Sequence, residues 1–242
     1  MSNIKSNIRF LVVIPARAGS KGVLRKNIKP LNGVPLIFYT IDCARSIFPD
    51  EDICISTNDL ELIDLVKEQK NMRVPFIRPD ELATDQSGTH EVLLNSIDYY
   101  ASKGKIFDSI ILLQPTSPLR TEKNLKEAID LYLIENVDMV VSVKEAKSNP
   151  YFTLFEENEK GYLYQSKQGN YTRRQDCPKV YEYNGAIYVI NIESLKKNRM
   201  SQFSKIKKYI MSDETSIDID TSLDWNWCEY ILKKNLINLN DV

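Results

Sequence analysis

Apolar and polar positions along the chain alternate between two patterns. Short runs of consecutive apolar, often β-branched residues are typical of strands that are covered on both faces of a sheet. These runs are Phe10–Ile14, Ile53–Ser56, Val74–Ile77, Ile110–Leu113 and Met139–Val143. Between them lie segments with apolar residues at helical spacing, which are Leu36–Ile47, Leu60–Lys70, Glu91–Ser102 and Leu125–Glu135. The alternation predicts a doubly wound, mostly parallel α/β sheet.

Three of the predicted helices follow residues that can cap a helix. Short polar side chains accept hydrogen bonds from the free backbone N–H groups of a first helical turn. The expected caps are Asn58 with Asp59, then Thr89, and then Thr121 with Glu122.

The alternation stops after Ala146. Residues 147–183 are polar and aromatic with frequent turns, which predicts short antiparallel strands inserted into the sheet domain. A core strand, Gly185–Ile190, and a closing helix, Leu223–Lys233, follow. The predicted organisation is therefore a core of residues 1–146 and 184–242 that carries an insert of residues 147–183.

The composition narrows the class of protein. A net charge of −1 over 242 residues does not favour general nucleic-acid binding. No apolar run approaches the roughly 20 residues that span a bilayer, and the first residues lack a secretory signal pattern. Four scattered cysteines with a single histidine argue against a zinc site and predict reduced thiols in a cytoplasmic protein.

The segment Pro15–Lys26 follows the first strand and concentrates positive charge. Residues 1–41 contain seven Lys or Arg and no acidic residue. Gly19 and Gly22 permit close approach of the backbone, and the cations of this loop can make charge-assisted hydrogen bonds; they are Arg17, Lys21, Arg25 and Lys26. The loop predicts a phosphate-binding site, although it matches neither the Walker A nor the GxGxxG pattern. A solvated surface loop is the alternative.

Asp218 and Asp220 form a second candidate group. In an extended segment, residues two apart face the same side, so both carboxylates can converge on one cation. Mg²⁺ prefers oxygen ligands and commonly bridges to substrate phosphates. Alone, such a pair also fits a solvated edge or a turn.

Three further positions carry candidate chemistry. Gln114 stands at the end of an apolar strand, where its amide can both donate and accept. Arg173 and Arg174 can clamp a carboxylate or form an ion pair at a subunit interface. His90, the sole histidine, fits a structural role because no triad pattern accompanies it.

Six segments in order resemble the acylneuraminate cytidylyltransferase family. They are PARAGSKGVLRKN, RPDELATD, LLQPTSPLR, RRQ, YNGAIYVIN and SIDIDT, and the resemblance covers nearly the whole chain, from Ile14 to about Asp224. The resemblance implies a Rossmann-like nucleotidyltransferase core, a small inserted dimerisation subdomain, and a homodimer whose active sites take residues from both chains. It implies transfer of CMP from CTP to the anomeric hydroxyl of an acidic nine-carbon (nonulosonic) sugar, with release of pyrophosphate and Mg²⁺ or another divalent cation as cofactor.

The resemblance also implies residue roles. Arg17, Lys26 and Asn27 would hold the phosphates, with Lys26 catalytic, and Arg78 and Thr89 would contact the nucleotide. Gln114, Asn184 and Arg174 would contact the sugar, Arg174 through its carboxylate. Asp218 and Asp220 would bind the metal and act in catalysis, one of them orienting or deprotonating the sugar hydroxyl, with Asp220 the more essential.

Two positions depart from the sialic acid-activating pattern. Phe152 stands where those members have lysine, and Glu182 stands where they have arginine. An aromatic ring cannot satisfy buried hydroxyl groups, so a less hydroxylated sugar fits better. The segments around both positions resemble the branch that activates N,N'-diacetyllegionaminic acid, with Phe152 and Glu182 in the sugar pocket.

Several alternatives remain. N-acetylneuraminate or pseudaminate could be the sugar. A ketodeoxyoctonate cytidylyltransferase is disfavoured by the GSKGVLRKN loop and by the RRQ and NGAIYVIN segments. A catalytically inactive nucleotide-binding regulatory protein is the candidate from another class. Lys26, Asp218 and Asp220 count against it, since a pure binder has no need of a metal pair.

Overall fold

A computed structural model describes residues 8–19, 22–84 and 88–239. In chain order, its strands are β1 (Phe10–Pro15), β2 (Pro30–Leu31), β3 (Val34–Pro35), β4 (Ile53–Ser56), β5 (Ser109–Leu113), β6 (Met139–Glu145), β7 (Phe155–Glu157), β8 (Leu163–Gln165), β9 (Tyr181–Asn191) and β10 (Ile206–Ile210). Its α-helices are α1 (Leu36–Arg45), α2 (Leu60–Lys70), α3 (Thr89–Ser102), α4 (Glu122–Ile134), α5 (Ile192–Lys197) and α6 (Ser222–Lys233).

Six strands form a central sheet in the order β10-β6-β9-β5-β1-β4. β9 runs antiparallel to both of its neighbours, whereas the other three pairings are parallel. The predicted mostly parallel α/β sheet is therefore confirmed. β2 pairs with β3, and β7 pairs with β8, in separate antiparallel hairpins.

Both faces of the sheet are covered, as the apolar runs predict. Along β1, Val12 and Ile14 pack into one core cluster with α1, α2 and α4, while Leu11 and Val13 pack into another with α3 and α5. All four side chains are fully buried. A third cluster joins the segment after β1 to α6 through Val23 and Trp225. α6 therefore packs against the segment that follows β1.

The prediction of local structure is wrong at two places. Val74–Ile77 forms no strand; only an isolated parallel bridge joins Ile77 to Thr57. Pro75 explains this result, because proline removes a backbone donor from a ladder. Thr89 does not cap α3, since it is the first helical residue and Gly88 occupies the cap position.

Two predicted caps are present. The Asp59 side chain accepts from the backbone N–H of Leu62 at the start of α2. Thr121 accepts from the N–H of Asn124, whose own side chain accepts in return from the Thr121 N–H. These local bonds fix where α2 and α4 begin after the carboxyl ends of β4 and β5.

The hairpin of β7 and β8 lies between β6 and β9, within the predicted insert. Most of its large apolar side chains are exposed, among them Leu154, Phe155 and Leu163. β9 already begins at Tyr181, where it pairs with Glu145 of β6. No helix in the described part of the chain is long and apolar enough to cross a membrane.

Candidate active site

A cavity of about 370 Å³ opens at the carboxyl ends of β1 and β5. This is the edge at which open α/β sheets bind ligands. Seven predicted site residues line the cavity: Arg17, Lys26, Asn27, Arg78, Thr89, Gln114 and Asp220. Pro15, Gly22, Val92, Pro115 and Thr116 complete the lining. The structure thus brings together residues from four of the six segments that carry the family resemblance.

The loop after β1 is held by backbone and amide contacts. The Asn27 side chain donates to the Arg17 carbonyl over 3.1 Å, and the Ala18 N–H donates to Asn58 Oδ1 over 3.0 Å. Gly22 lies directly on the backbone of the segment that carries the aspartates, because a Cβ there would overlap the Asp220 carbonyl oxygen. Lys21 lies outside the described residues. Close packing thereby joins the predicted phosphate loop to the predicted metal segment.

Lys26 links the same two segments through its ammonium group. Its Nζ donates to the Ile219 carbonyl over 2.5 Å and lies 3.7 Å from Asp220 Oδ1. The lysine side chain is 11% exposed, whereas that of Asp220 is 79% exposed. A cation that is mostly shielded from water interacts strongly with an anion entering the cavity.

Arg78 provides a second buried cation beside the cavity. It is 3% exposed, and its guanidinium donates to both the hydroxyl and the carbonyl of Ser56 at the end of β4. Burial, with a smaller contribution from the charge of Arg17, lowers the pKa of Arg78 to about 10. Even so, the group remains charged at neutral pH.

Asp218 is the more buried of the two aspartates. Burial raises its pKa; the nearby charge of Asp220 adds to this effect, while the Thr116 hydroxyl and Lys26 oppose it. Its Oδ1 atom is buried without a hydrogen-bond partner among the described residues. Ile219, between the two aspartates, is fully buried and anchors the segment in the apolar cluster that contains Trp225.

The two carboxylates fit a divalent cation that is shared with a substrate. An unpartnered carboxylate oxygen beside a second carboxylate supplies the hard oxygen ligands that Mg²⁺ accepts. The described residues contain no group of three or more His, Cys, Asp or Glu that could hold a metal alone. The remaining ligands would therefore come from phosphate oxygens and water, as is common for Mg²⁺ at nucleotide sites.

Gln114 and Asp218 meet above Gly185 of β9. A Cβ built on Gly185 would lie 3.0 Å from Gln114 Oε1 and 2.9 Å from Asp218 Oδ2. Gly185 also has a φ of +72°, a conformation that side chains disfavour. The predicted sugar contact and the predicted metal ligand thus share one glycine surface, although the sequence separates them by about 100 residues.

Asn184 does not face the cavity as the predicted sugar contact would require. It is 2% exposed, and its amide bonds to Ser142, Ser216 and Met211. Its Oδ1 also accepts from the N–H of Ala186. Because the protein already satisfies the amide, the structure supports a positioning role and not direct contact with a ligand.

Three other predicted sugar contacts lie outside this cavity. Arg174 donates to the Lys147 carbonyl over 2.5 Å and lines a separate groove beside Glu145. Glu182 forms an exposed ion pair of 3.0 Å with Lys144. Phe152 is half-buried in the insert, where its N–H donates to the Asn149 carbonyl. Within one chain, the structure does not unite these residues with Lys26.

Arg120 is a site-supporting residue that the sequence analysis did not identify. Its guanidinium is fully buried and donates to the carbonyls of Gln114 and Ala186 and to the Thr40 hydroxyl. It thereby joins the turn after β5 to β9 beside Gly185. The segment LLQPTSPLR contains this arginine, but sequence alone gives no sign that it points inward.

Tyr188 is a second residue near the site that the sequence analysis did not identify. Burial, with a contribution from the charge of Asp218, raises its pKa to about 12. A tyrosine within the apolar strand segment GAIYVI, three residues after Gly185, was the available signal.

His90 lies at the start of α3, and its Nδ1 is buried without a described partner.

Comparisons with known proteins agree on the kind of protein. A family model described as Cytidylyltransferase matches residues 11–233. CMP-N,N'-diacetyllegionaminic acid synthase from Legionella pneumophila is 32% identical over 233 residues, which cover 94% of this chain and 98% of that protein. N-acylneuraminate cytidylyltransferase from Streptococcus agalactiae serotype III is 37% identical over 221 residues, which cover 89% of this chain. The chain spans about half the length of that second relative, at 51%.

One solved structure shows the same fold. It is a CMP:2-keto-3-deoxy-manno-octonic acid synthetase complexed with CTP, with a TM-score of 0.69 over 94% of this chain and 99% of that chain. The sequence identity is 13%, so the likeness concerns the fold alone.

Proposed function

The chain belongs to the cytidylyltransferase family, and on that premise we propose that it transfers CMP from CTP to the anomeric hydroxyl of a nonulosonic acid. Pyrophosphate leaves in the reaction. The sugar that we propose is N,N'-diacetyllegionaminic acid, with N-acetylneuraminate and pseudaminate as alternatives. One observation carries the proposal: three cations, Arg17, Lys26 and Arg78, share a cavity with Asp220 at the carboxyl edge of the sheet.

Each residue that lines the cavity can serve one part of the reaction between a nucleoside triphosphate and a sugar. Arg17, Lys26 and Asn27 bind the phosphates, and Lys26 stabilises charge that develops as pyrophosphate departs. Arg78 and Thr89, which line the same cavity, contact the nucleotide. The sugar hydroxyl attacks the α-phosphate roughly in line with the leaving group.

The sugar half of the site centres on Gln114, Asp218 and Asp220. Gln114 can donate to or accept from the sugar. The two aspartates would hold Mg²⁺, which supplies charge neutralisation at the phosphates when bound. One aspartate also orients the attacking hydroxyl or removes its proton.

The proposal includes a homodimer formed through the insert. The hairpin exposes large apolar side chains that a second copy can bury, including Phe155 (49% exposed), Tyr162 (68%) and Leu163 (69%). Since Arg174 and Phe152 lie outside the cavity of their own chain, we propose that they reach the sugar across the dimer interface.

Mixing two inactive variants tests this arrangement. Lys26→Met disables one half of a site, and Arg174→Ala disables the other. If Arg174 acts across the interface, subunit exchange between the two variants restores one intact site in each mixed dimer. Random exchange of equal amounts then recovers about one quarter of wild-type activity. Mixtures that stay inactive although mixed dimers are detected would contradict this placement.

Pyrophosphate release tests the reaction itself. The purified chain is incubated with CTP, Mg²⁺ and each of several nonulosonic acids, with single omissions as controls. We expect release that requires all three components and is fastest with N,N'-diacetyllegionaminic acid. A clear preference for N-acetylneuraminate would refute the sugar assignment alone.

The same measurement separates the enzyme from a regulatory nucleotide binder. A binder would take up CTP, yet it would release no pyrophosphate with any sugar.

We place the reaction in the cytoplasm, because all four cysteines are free thiols and three of them are buried.

A further inference from the structure

β9 contains an irregularity where it passes the active site. Its pairing with β6 shifts register between Val141 and Val143, which leaves Ser142 outside the ladder between these two strands. The Ser142 hydroxyl accepts from the N–H of Ile187 over 2.7 Å and donates to Asn184 Oδ1 over 2.6 Å. Bulges of this kind often redirect side chains beside active sites.

Asn184 extends this contact to two other segments. Its Nδ2 donates to the Ser216 hydroxyl over 2.9 Å, two residues before Asp218. The backbone carbonyl of Asn184 accepts from the hydroxyl of Ser117 over 3.2 Å, and Ser117 lies three residues after Gln114. Asn184 therefore fixes the chain near both residues of the sugar half of the site.

Gly185 supplies the surface on which those two residues meet. Its φ of +72° turns the backbone, and its missing side chain leaves room for Asp218 Oδ2 and Gln114 Oε1. Any Cβ would come within 3.0 Å of both atoms. The spacing between the metal ligand and the sugar contact thus depends on this glycine.

We propose that Asn184 and Gly185 are positioning residues that set the separation of Asp218 and Gln114, so that one metal ion and one sugar hydroxyl fit between them. The inference rests on the proposed function, because it takes Asp218 as a metal ligand and Gln114 as a sugar contact. Neither positioning residue touches the substrate.

Another asparagine of the same strand provides a matched control. Asn191, at the far end of β9, accepts from the N–H of Ser194 and caps α5. It lies outside the cavity and contacts neither aspartate. Loss of a buried or capping hydrogen bond at either asparagine lowers stability, but only the Asn184 network leads to the site.

The experiment compares Gly185→Ala, Ser216→Ala and Asn191→Ala with the wild type. Mn²⁺ binding is titrated by electron paramagnetic resonance, and CTP binding is measured separately in EDTA. We expect Gly185→Ala and Ser216→Ala to weaken Mn²⁺ binding by about 10-fold or more and to raise the KM for sugar. CTP affinity in EDTA should change by less than about twofold, since the phosphate loop is untouched.

The possible outcomes distinguish a failure of the positioning role from a failure of the proposed function. Unchanged Mn²⁺ affinity in both folded variants, or equal loss in Asn191→Ala, overturns the positioning role. Ser216→Ala removes a single hydrogen bond, so it provides the test if Gly185→Ala does not fold. A wild type that binds Mn²⁺ and shows the expected variant pattern, yet releases no pyrophosphate, refutes the proposed function and not the positioning role.

Discussion

Replacement of Lys26 by methionine should remove most of the catalytic rate and leave the chain folded. Methionine keeps the length and apolar stem of the side chain but removes the ammonium that lines the cavity. In the proposed reaction, this ammonium is a shielded cation in direct contact with the segment that carries the two aspartates. Loss of its charge therefore affects the departing pyrophosphate directly.

The magnitude follows from the surroundings of Lys26. A unit charge about 4 Å from a phosphate interacts by about 4 kcal/mol at an effective dielectric constant of about 20. Asp220, 3.7 Å away, offsets part of this attraction. The loss of one such donor typically costs about 2.7–4 kcal/mol, or about 100- to 1,000-fold in kcat, and we expect a value near the lower end.

The effect on stability should be smaller. The ion pair with the exposed Asp220 contributes less than about 1 kcal/mol, and loss of the bond to the Ile219 carbonyl costs about 1–3 kcal/mol. Circular dichroism should therefore show a folded protein at 25 °C.

The assay is pyrophosphate release at saturating CTP, with Lys29→Met as the matched control. Lys29 lies three residues further along, and its ammonium stacks over the Trp225 ring, 4.4 Å from the centroid, outside the cavity. The control should keep near-normal kcat. A Lys26→Met protein that keeps more than about one third of the wild-type kcat would refute the electrostatic role.

Four further predictions concern other parts of the molecule. Asp220→Ala should abolish turnover with an unchanged circular dichroism spectrum, and retained activity would refute the metal assignment. Phe152→Lys combined with Glu182→Arg should lower kcat/KM for the native sugar, and unaffected kinetics would show that the sugar pocket is assigned wrongly. Arg120→Met should lower unfolding free energy by about 3 kcal/mol in urea titrations, because two buried carbonyls lose their donor; an unchanged midpoint would contradict this. Cys177 alone should react quickly with Ellman's reagent at pH 8, because burial raises the pKa of the other three thiols and keeps them protonated; a second fast equivalent would contradict the buried assignment.

Local signals predicted those elements that have strong local causes. Ile53–Ser56 and Leu60–Lys70 have the predicted bounds, because a continuous apolar run precedes a capping aspartate and an amphipathic helix. β10 was not predicted: its sequence, IKKYI, is short, and its side chains are mostly exposed at the edge of the sheet. Pairing with β6 defines this strand, and no local pattern encodes that pairing.

The same distinction between local sequence signals and tertiary contacts applies to the residues of the candidate site. Lys26 and Asp220 could be predicted as functional because their residue types suit phosphate and metal chemistry, and the fold then brings them within 3.7 Å. The role of Asn184 could not be predicted, since its partners lie in three distant segments and its burial depends on a bulge. Polar groups that support a site are recognisable only once tertiary contacts are known.

The most direct test of the proposed reaction is identification of its product. The chain is incubated with CTP, Mg²⁺ and equal amounts of N,N'-diacetyllegionaminic acid and N-acetylneuraminate, and the CMP-sugars are quantified by mass spectrometry. We predict that the CMP adduct of the diacetylated sugar predominates and that its formation matches pyrophosphate release. The absence of any CMP-sugar, while the folded protein binds CTP, would contradict the assignment of a cytidylyltransferase reaction to this site.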